Sequence, residues 1–386
     1  MGRALFLLLF LLLAWTAPAL AQVIVKVNDQ IHFRFGAQLQ TWAEWIQDPN
    51  SGGYSANFYI RRIRAMILAT IGPSLSIFYL TDNPSVGNSG TIGNKNVSTG
   101  FQTQDAFLEW KLLGDQIKLD AGLYYIPQSR NVLSSTNSTL ALAGANFVQL
   151  QNTFTQSTTG RDYGFGLTGY LANDHLEYRA GVFDGQRQGT TPQPPPLGPA
   201  AGSRNSYLFG ARLQYDVFDT EKGYTYVGTN RGARKILAIG AWGNFQGDYK
   251  AYGGDVMADF PTGKHGAVTW EGDYLWYDGG TQFQSIVAGK PTPLLPKENT
   301  FYTHLGYLFT DVQLQPFFRY EFLDFSATTF QSRQFKRYGC GINWYIYGQN
   351  LKITGFYERV IPETQPATAS QKNFNHFVVQ LQAYYF

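Results

Sequence analysis

Cysteine is all but absent from this sequence: Cys340 is the only one among 386 residues. An intrachain disulfide is therefore excluded, and a thiolate zinc site has too few ligands to form. Long apolar runs are also missing. After the first residues no stretch approaches the ~18 consecutive apolar residues of a membrane-spanning helix. Charge is scarce, with 15% charged residues and a net charge of +3. That balance does not suit a nucleic-acid partner, which selects for clustered basic charge. The histidines, His32, His175, His265, His304 and His376, form no i, i+4 pair. They lack the spacing of a helical metal site. No Gly-x-Ser-x-Gly elbow is present, which removes one familiar arrangement for nucleophilic catalysis. No metal or other cofactor is expected.

What is present begins with an export signal. Arg3 supplies a positive start, residues 5–13 form an apolar run, and Ala19-Leu20-Ala21 is a small-x-small cleavage site. The apolar run is too short to span a bilayer, so residues 1–21 are expected to be removed, leaving 22–386 as the mature domain.

From there to the end, apolar and polar residues alternate in stretches of about ten residues. Ile31, Phe33, Phe35, Ala37 and Leu39 share one parity, and His32, Arg34, Gly36, Gln38 and Gln40 the other. Leu108, Trp110 and Leu112 alternate with Phe107, Glu109 and Lys111. Leu176, Tyr178 and Ala180 alternate with Glu177, Arg179 and Gly181. Phe209, Ala211 and Leu213 alternate with Gly210, Arg212 and Gln214. Period-two alternation places the two sets on opposite faces of a strand.

Between these stretches lie short turns, such as Gly72-Pro73, Gly114-Asp115, Asn173-Asp174 and Gly348-Gln349-Asn350. They alternate with long polar connections at 83–102, 127–160, 185–203, 279–298 and 362–372. Turns at one end and loops at the other suit a transmembrane antiparallel β-barrel, and about sixteen candidate strands give the expected even number. Aromatics make up 16% of the chain, and such rings favour membrane–water interfaces. In lipid only a closed sheet leaves no backbone edge unpaired.

Three features fit this pattern less simply. Terminal Phe386 is off the apolar parity of Phe377, Val379, Leu381 and Ala383, a mismatch that a β-bulge would repair. Gly164, Gly166 and Gly169 match a dinucleotide fingerprint, but they sit inside an alternating strand rather than at a strand-to-helix turn. Small lumen-facing residues explain them better. Arg61 opposes Arg62 and Arg64 on a strand, so it is expected near a membrane interface, where a lipid-facing charge costs least.

Several short stretches, taken in order, resemble the phosphate-selective porin O and P family. They are residues 58–64 (FYIRRIR), 105–110 (DAFLEW), 161–166 (RDYGFG), 180–185 (AGVFDG), 314–321 (LQPFFRYE) and 341–345 (GINWY). A final aromatic such as Phe386 is also typical of proteins passed to the outer-membrane insertion machinery. The resemblance implies a sixteen-stranded homotrimer in the bacterial outer membrane, with the third extracellular loop, 127–160, folded inward to narrow the pore. It also implies an anion path lined by basic residues. The positions that could line it are Arg34, Arg62, Arg64, Lys118, Arg179, Arg212 and Arg319 on the inward parity, with Arg130 on the narrowing loop.

The same parity carries acids, among them Asp105, Glu109, Asp255, Asp259, Glu271 and Asp273. They slightly outnumber the inward bases, so the expectation is passive diffusion of small hydrophilic solutes or inorganic anions with a weak anion preference, set mainly by Arg62, Arg64 and Arg130. Two rival readings stand beside it. His304, Asp255 and Asp259 could serve a barrel hydrolase, although no cluster of nucleophile, base and orienting group is visible. A structural or adhesin barrel would instead need a plugged lumen, against which the low bulk of the inward residues argues.

Overall fold

In a computed structural model, residues 23–87, 100–142, 160–186, 206–280, 284–287, 290–293, 297–325, 334–362 and 372–386 are described. The export signal and parts of the long connections lie outside these residues.

The chain is built of strands: β1 (Val23–Lys26), β2 (Ile31–Gln47), β3 (Tyr54–Ile71), β4 (Leu75–Asp82), β5 (Gln102–Leu113), β6 (Ile117–Tyr125), β7 (Arg161–Leu171), β8 (Leu176–Phe183), β9 (Leu208–Asp216) and β10 (Ile236–Gln246). There follow β11 (Tyr249–Pro261), β12 (Gly266–Asp278), β13 (Gln284–Val287), β14 (Lys290–Pro293), β15 (Glu298–Phe309), β16 (Leu314–Phe325), β17 (Phe335–Gln349), β18 (Leu351–Pro362) and β19 (Phe374–Tyr385). One helical turn, α1 (Arg130–Leu133), lies between β6 and β7.

Sixteen strands, β2–β12 and β15–β19, pair antiparallel with their neighbours, and β19 returns to β2 through Tyr385↔Ala37 to His376↔Ile46. The barrel is therefore closed, as the alternation predicts. β1 folds back beside β2, pairing Val23 with Phe35, and so continues the line of β19 where that strand has ended. β13 and β14 form a separate hairpin.

Alternation decides the faces. β9 reads buried and exposed in strict turn from Leu208 to Asp216. Phe165, Phe209, Leu213, Ile239, Trp344 and Leu381 are exposed on the outside, and Phe58 most of all at 77%. A water-soluble surface rarely carries apolar area on this scale, whereas a barrel in lipid requires it.

One expectation needs correction, and the register of the last strand, open from sequence, is given. Arg61 does not oppose Arg62 as a regular strand would dictate, because the pairing of β3 with β2 slips between Gln40 and Thr41. The slip turns Arg61 inward, its guanidinium lying 5.5 Å from the Trp42 ring centroid. Arg61 therefore places no charge in the lipid. At the other end, β19 pairs with both neighbours without a register shift. No bulge moves Phe386 outward. It follows the inward parity of Gln380, Gln382 and Tyr384 and packs where Gly36 of β2 leaves room.

The expected alternation of connection lengths also fails at two places. β10 and β11 are joined by Gly247 and Asp248 alone, at the end that otherwise carries loops. Gly247 supplies the positive φ of 59° that this tight turn uses. Conversely, β9 and β10 are joined at the turn end by residues 217–235, far longer than the turns beside them.

Candidate functional site

Two connections meet inside the barrel. The first follows β6. α1 aims its N-terminus at the far wall, where the Arg130 amide donates to Asp255 and the Asn131 amide to Asp273, both at 3.1 Å. Exposed amides at a helix start favour such carboxylate partners. The chain then walks round the opposite wall. Backbone carbonyls of Thr136, Asn137, Thr139, Leu140 and Leu142 accept from Gln40, Gln382, Lys352, Asn343 and Arg319 in turn. Those side chains belong to β2, β19, β18, β17 and β16, so residues 127–142 cross the lumen and are held on both sides. Their irregular backbone needs these donors, because buried carbonyls must be paired.

The second connection is residues 217–235, entering from the turn end. Tyr224 places its hydroxyl on Asp105, and Tyr226 places its own on Glu177. Thr229 meets Thr269 at 3.0 Å, and the Asn230 amide donates to Asp259.

The two segments bind each other. Tyr226 bridges Ser134 in parallel fashion, its amide donating to the Leu133 carbonyl at 3.1 Å and its carbonyl accepting from Ser135 at 2.9 Å. The Arg130 guanidinium forms a fork with Glu221 at 2.7 and 2.9 Å and also donates to the Val227 carbonyl. Around the Tyr226 ring stand three guanidinium groups, those of Arg130, Arg179 and Arg212, at 4.7, 4.8 and 5.0 Å from its centroid. Like charges this close require compensation. Glu221, Glu177 and Asp255 provide it, together with the electron-rich ring face.

The positions singled out from sequence thus fall into three groups. Arg130, Arg179 and Arg212 converge on Tyr226. Arg64, Lys118 and Arg319 lie apart from them, each paired with a carboxylate: Asp82 at 2.9 Å, Glu109 at 2.9 Å, and Glu321. Arg62 donates to Gln40 at 2.9 Å, and Arg34, half-buried, lies over the Phe386 ring. Lumen-facing side chains such as Asp259, Thr269, Gln315, Asn343 and Gln382 are fully buried. The low bulk of the inward faces is therefore matched by the inserted chain. The candidate hydrolase residues are engaged elsewhere. Asp255 binds Arg212, Asp259 accepts from Thr269, and His304 sits between Tyr302 and Glu271. Gly164 and Gly166 share the inward parity of Asp162, beneath Phe183 and Tyr124, while Gly169 is on the other face beside Tyr178.

Sequence reasoning missed Glu221, Tyr224 and Tyr226. The available signal was a connection at the turn end, rich in glycine and aromatics, too long for a turn and without alternation. It also missed Arg161, which pairs with Asp105 at 2.9 Å.

Beside the inserted segments a cavity of about 520 Å³ remains, bounded by β2–β7 and the end of β19 with Phe386. It extends from Lys111, Asp115 and Lys222 at the turn end up to Ser135–Asn137 of the crossing segment. Six basic side chains, Arg34, Arg64, Lys111, Lys118, Arg161 and Lys222, line it against the carboxylates of Asp105, Glu109 and Asp115.

No protein-family model and no curated protein matches the sequence. Solved structures do match the fold. An anion-selective porin from Comamonas acidovorans superposes with a TM-score of 0.57 at 10% identity, over 92% of this chain and 100% of that one. OmpF of Salmonella typhi, in complex with daunomycin, gives 0.57 at 11% identity, over 94% of this chain and 100% of the other. The outer membrane channel DcaP of Acinetobacter baumannii gives 0.52 at 9% identity, over 94% and 99%. The chain thus has the closed sixteen-stranded barrel fold seen in outer-membrane porins.

Proposed function

We propose that this chain is an outer-membrane channel for passive diffusion of small hydrophilic solutes or ions, with a weak preference for anions and no catalytic role. In this reading the signal at 1–21 directs export, the barrel assembles as a homotrimer in outer-membrane lipid, and the turn end faces the periplasm. The observation that carries the anion preference is the cavity lining, in which basic side chains outnumber carboxylates. Wall charges act on ions over ~8–10 Å at physiological salt, so a lining only angstroms from the path sets selectivity. The resemblance to phosphate-selective porins agrees in sign. However, Arg64, Arg130, Arg179, Arg212 and Arg319 each bind a carboxylate. This argues for a general anion preference rather than a tight phosphate site, with Arg34, Lys111, Lys118 and Lys222 in the cavity lining, where Arg62 and Arg130 are not.

One observation favours a second reading, a non-conducting barrel: the crossing segments fill the middle of the lumen. Planar-bilayer recordings separate the two. A channel gives discrete conductance steps and an anion-signed reversal potential that shifts toward zero in a Lys111→Gln, Lys222→Gln double variant. A barrel that inserts and never conducts supports the second reading.

A further inference from the structure

The cavity is unusual for a water-filled lumen in one respect: much of its wall is apolar. Phe78 of β4, facing inward, has ring centroids 5.9 Å from Phe107, 5.8 Å from Tyr224 and 6.0 Å from Phe386. Leu68, Phe78, Tyr224 and Phe386 are only half-buried, so faces of this cluster remain open to the cavity that they line. Diffusion of inorganic ions does not call for such a wall, since hydrated ions gain nothing from it.

At the edge of the cluster stands a cation with a special setting. Arg34 lies 5.3 Å from the Phe386 ring centroid, and among the described residues no carboxylate side chain pairs with it. Its neighbours in the lining differ. Lys118 is held by Glu109, and Lys111 and Lys222 share Asp115 at the mouth. A guanidinium to which no Asp or Glu side chain among the described residues is joined, next to an open aromatic wall, presents two complementary halves of one recognition site.

We propose that this cavity binds small organic anions with an apolar, preferably aromatic, body: monocarboxylates whose carboxylate sits on Arg34 and whose ring lies against Phe78, Tyr224 and Phe386. The volume suits such a ligand, since small-molecule sites span roughly 300–1,000 Å³ and combine apolar walls with a few placed polar groups. Lys111 and Lys222 at the mouth draw anions in, and the aromatic wall then selects those with an apolar part. The inference deepens the proposed function by naming a solute class and rests on that function only for the step of transport.

Isothermal titration calorimetry on the folded, detergent-solubilised mature protein tests binding without requiring conduction. Benzoate is expected to bind at least about tenfold more tightly than acetate, which lacks the ring, and than benzyl alcohol, which lacks the charge. Inorganic phosphate is expected to bind no better than acetate. Arg34→Ala and Phe78→Ala should each weaken benzoate binding by about tenfold, with Arg34→Lys recovering part of the loss. The ligand comparison needs no variant and stands even if a substitution hinders assembly. Equal affinity for benzoate and acetate, or phosphate binding tighter than benzoate, overturns the proposal. Bilayer recordings then separate the two readings. Benzoate binding to a barrel that never conducts leaves the site standing and removes the channel, whereas conduction without benzoate binding does the reverse.

Discussion

Arg130 and Glu221 form a two-pronged ion pair, at 2.7 and 2.9 Å, between chain segments that enter the barrel from opposite ends. Both side chains are buried, with Arg130 fully so. The pair therefore acts as a clasp between the connection after β6 and the connection after β9.

Removing one half of the clasp should loosen the lumen. A buried pair broken on one side costs about 3–5 kcal/mol, because the remaining charge is left unpaired. That penalty falls on the inserted segments, while the barrel wall keeps its full ladder of strand pairs. Glu221→Ala is expected to raise single-channel conductance and make residues 217–235 cleavable by protease, with the barrel still resisting heat in detergent. Unchanged conductance and protection would mean that the clasp does not hold the segments.

A side chain at Gly36 should disturb the end of the chain. A Cβ there runs into the Phe386 ring and the Tyr385 carbonyl. Overpacking of this kind costs about 1–3 kcal/mol. Gly36→Val is expected to lower the heat-denaturation temperature of the assembled barrel, and pairing it with Phe386→Ala should restore part of the loss. Equal stability of Gly36→Val and the parent would show that Phe386 is not seated there.

Acid should change the cavity mouth, and neutral pH should not. Hydrogen bonds from Lys111 and then Lys222 hold the Asp115 carboxyl below its ordinary value of 3.8. The bond to Asp174, with a further one to Asp115, holds the Lys222 ammonium above its ordinary 10.5. The depressed carboxyl contributes its interaction fully above 3.8 and loses it as pH falls through its lowered value. The raised lysine contributes below 10.5 and loses it only above that. Anion preference arising at the mouth should therefore stay level from about pH 5 to 9 and rise only as pH falls below 3.8, when protonated Asp115 frees its lysines. Reversal potentials recorded across that range check it, and a step near pH 6 would assign control to other groups.

Assembly as a trimer is expected from the family resemblance. Native mass spectrometry in mild detergent should give three copies, with a β-rich circular dichroism spectrum that persists on heating. Monomers alone in that experiment would count against the resemblance.

The barrel was legible because lipid on one side and polar groups on the other impose alternation on every strand, visible in runs such as Phe209–Tyr215. The interior was much less so. Arg212 and Asp255 lie on β9 and β11, with β10 between them, and nothing local in sequence announces a pair formed across the inside of a curved sheet. The face of Arg61 is not legible locally, because a one-residue slip reverses faces without leaving a Gly or Pro to mark it. Residues 217–235 are silent in sequence for a related reason. Their order comes from contacts with Arg130, Glu177 and Asp259, far away in the chain, and not from any periodicity of their own.

Tyr226 occupies the point where Arg130, Arg179 and Arg212 converge. The most direct test is the reversal potential of single channels in a potassium chloride gradient, compared between the parent and Tyr226→Ala. The parent should conduct in small steps with a weak anion preference. The variant, with the arginine cluster exposed to the path, should conduct more and prefer chloride more strongly. A variant with the parent's conductance, or a shift toward potassium, would contradict a diffusion channel whose lumen is narrowed by this segment and whose interior attracts anions.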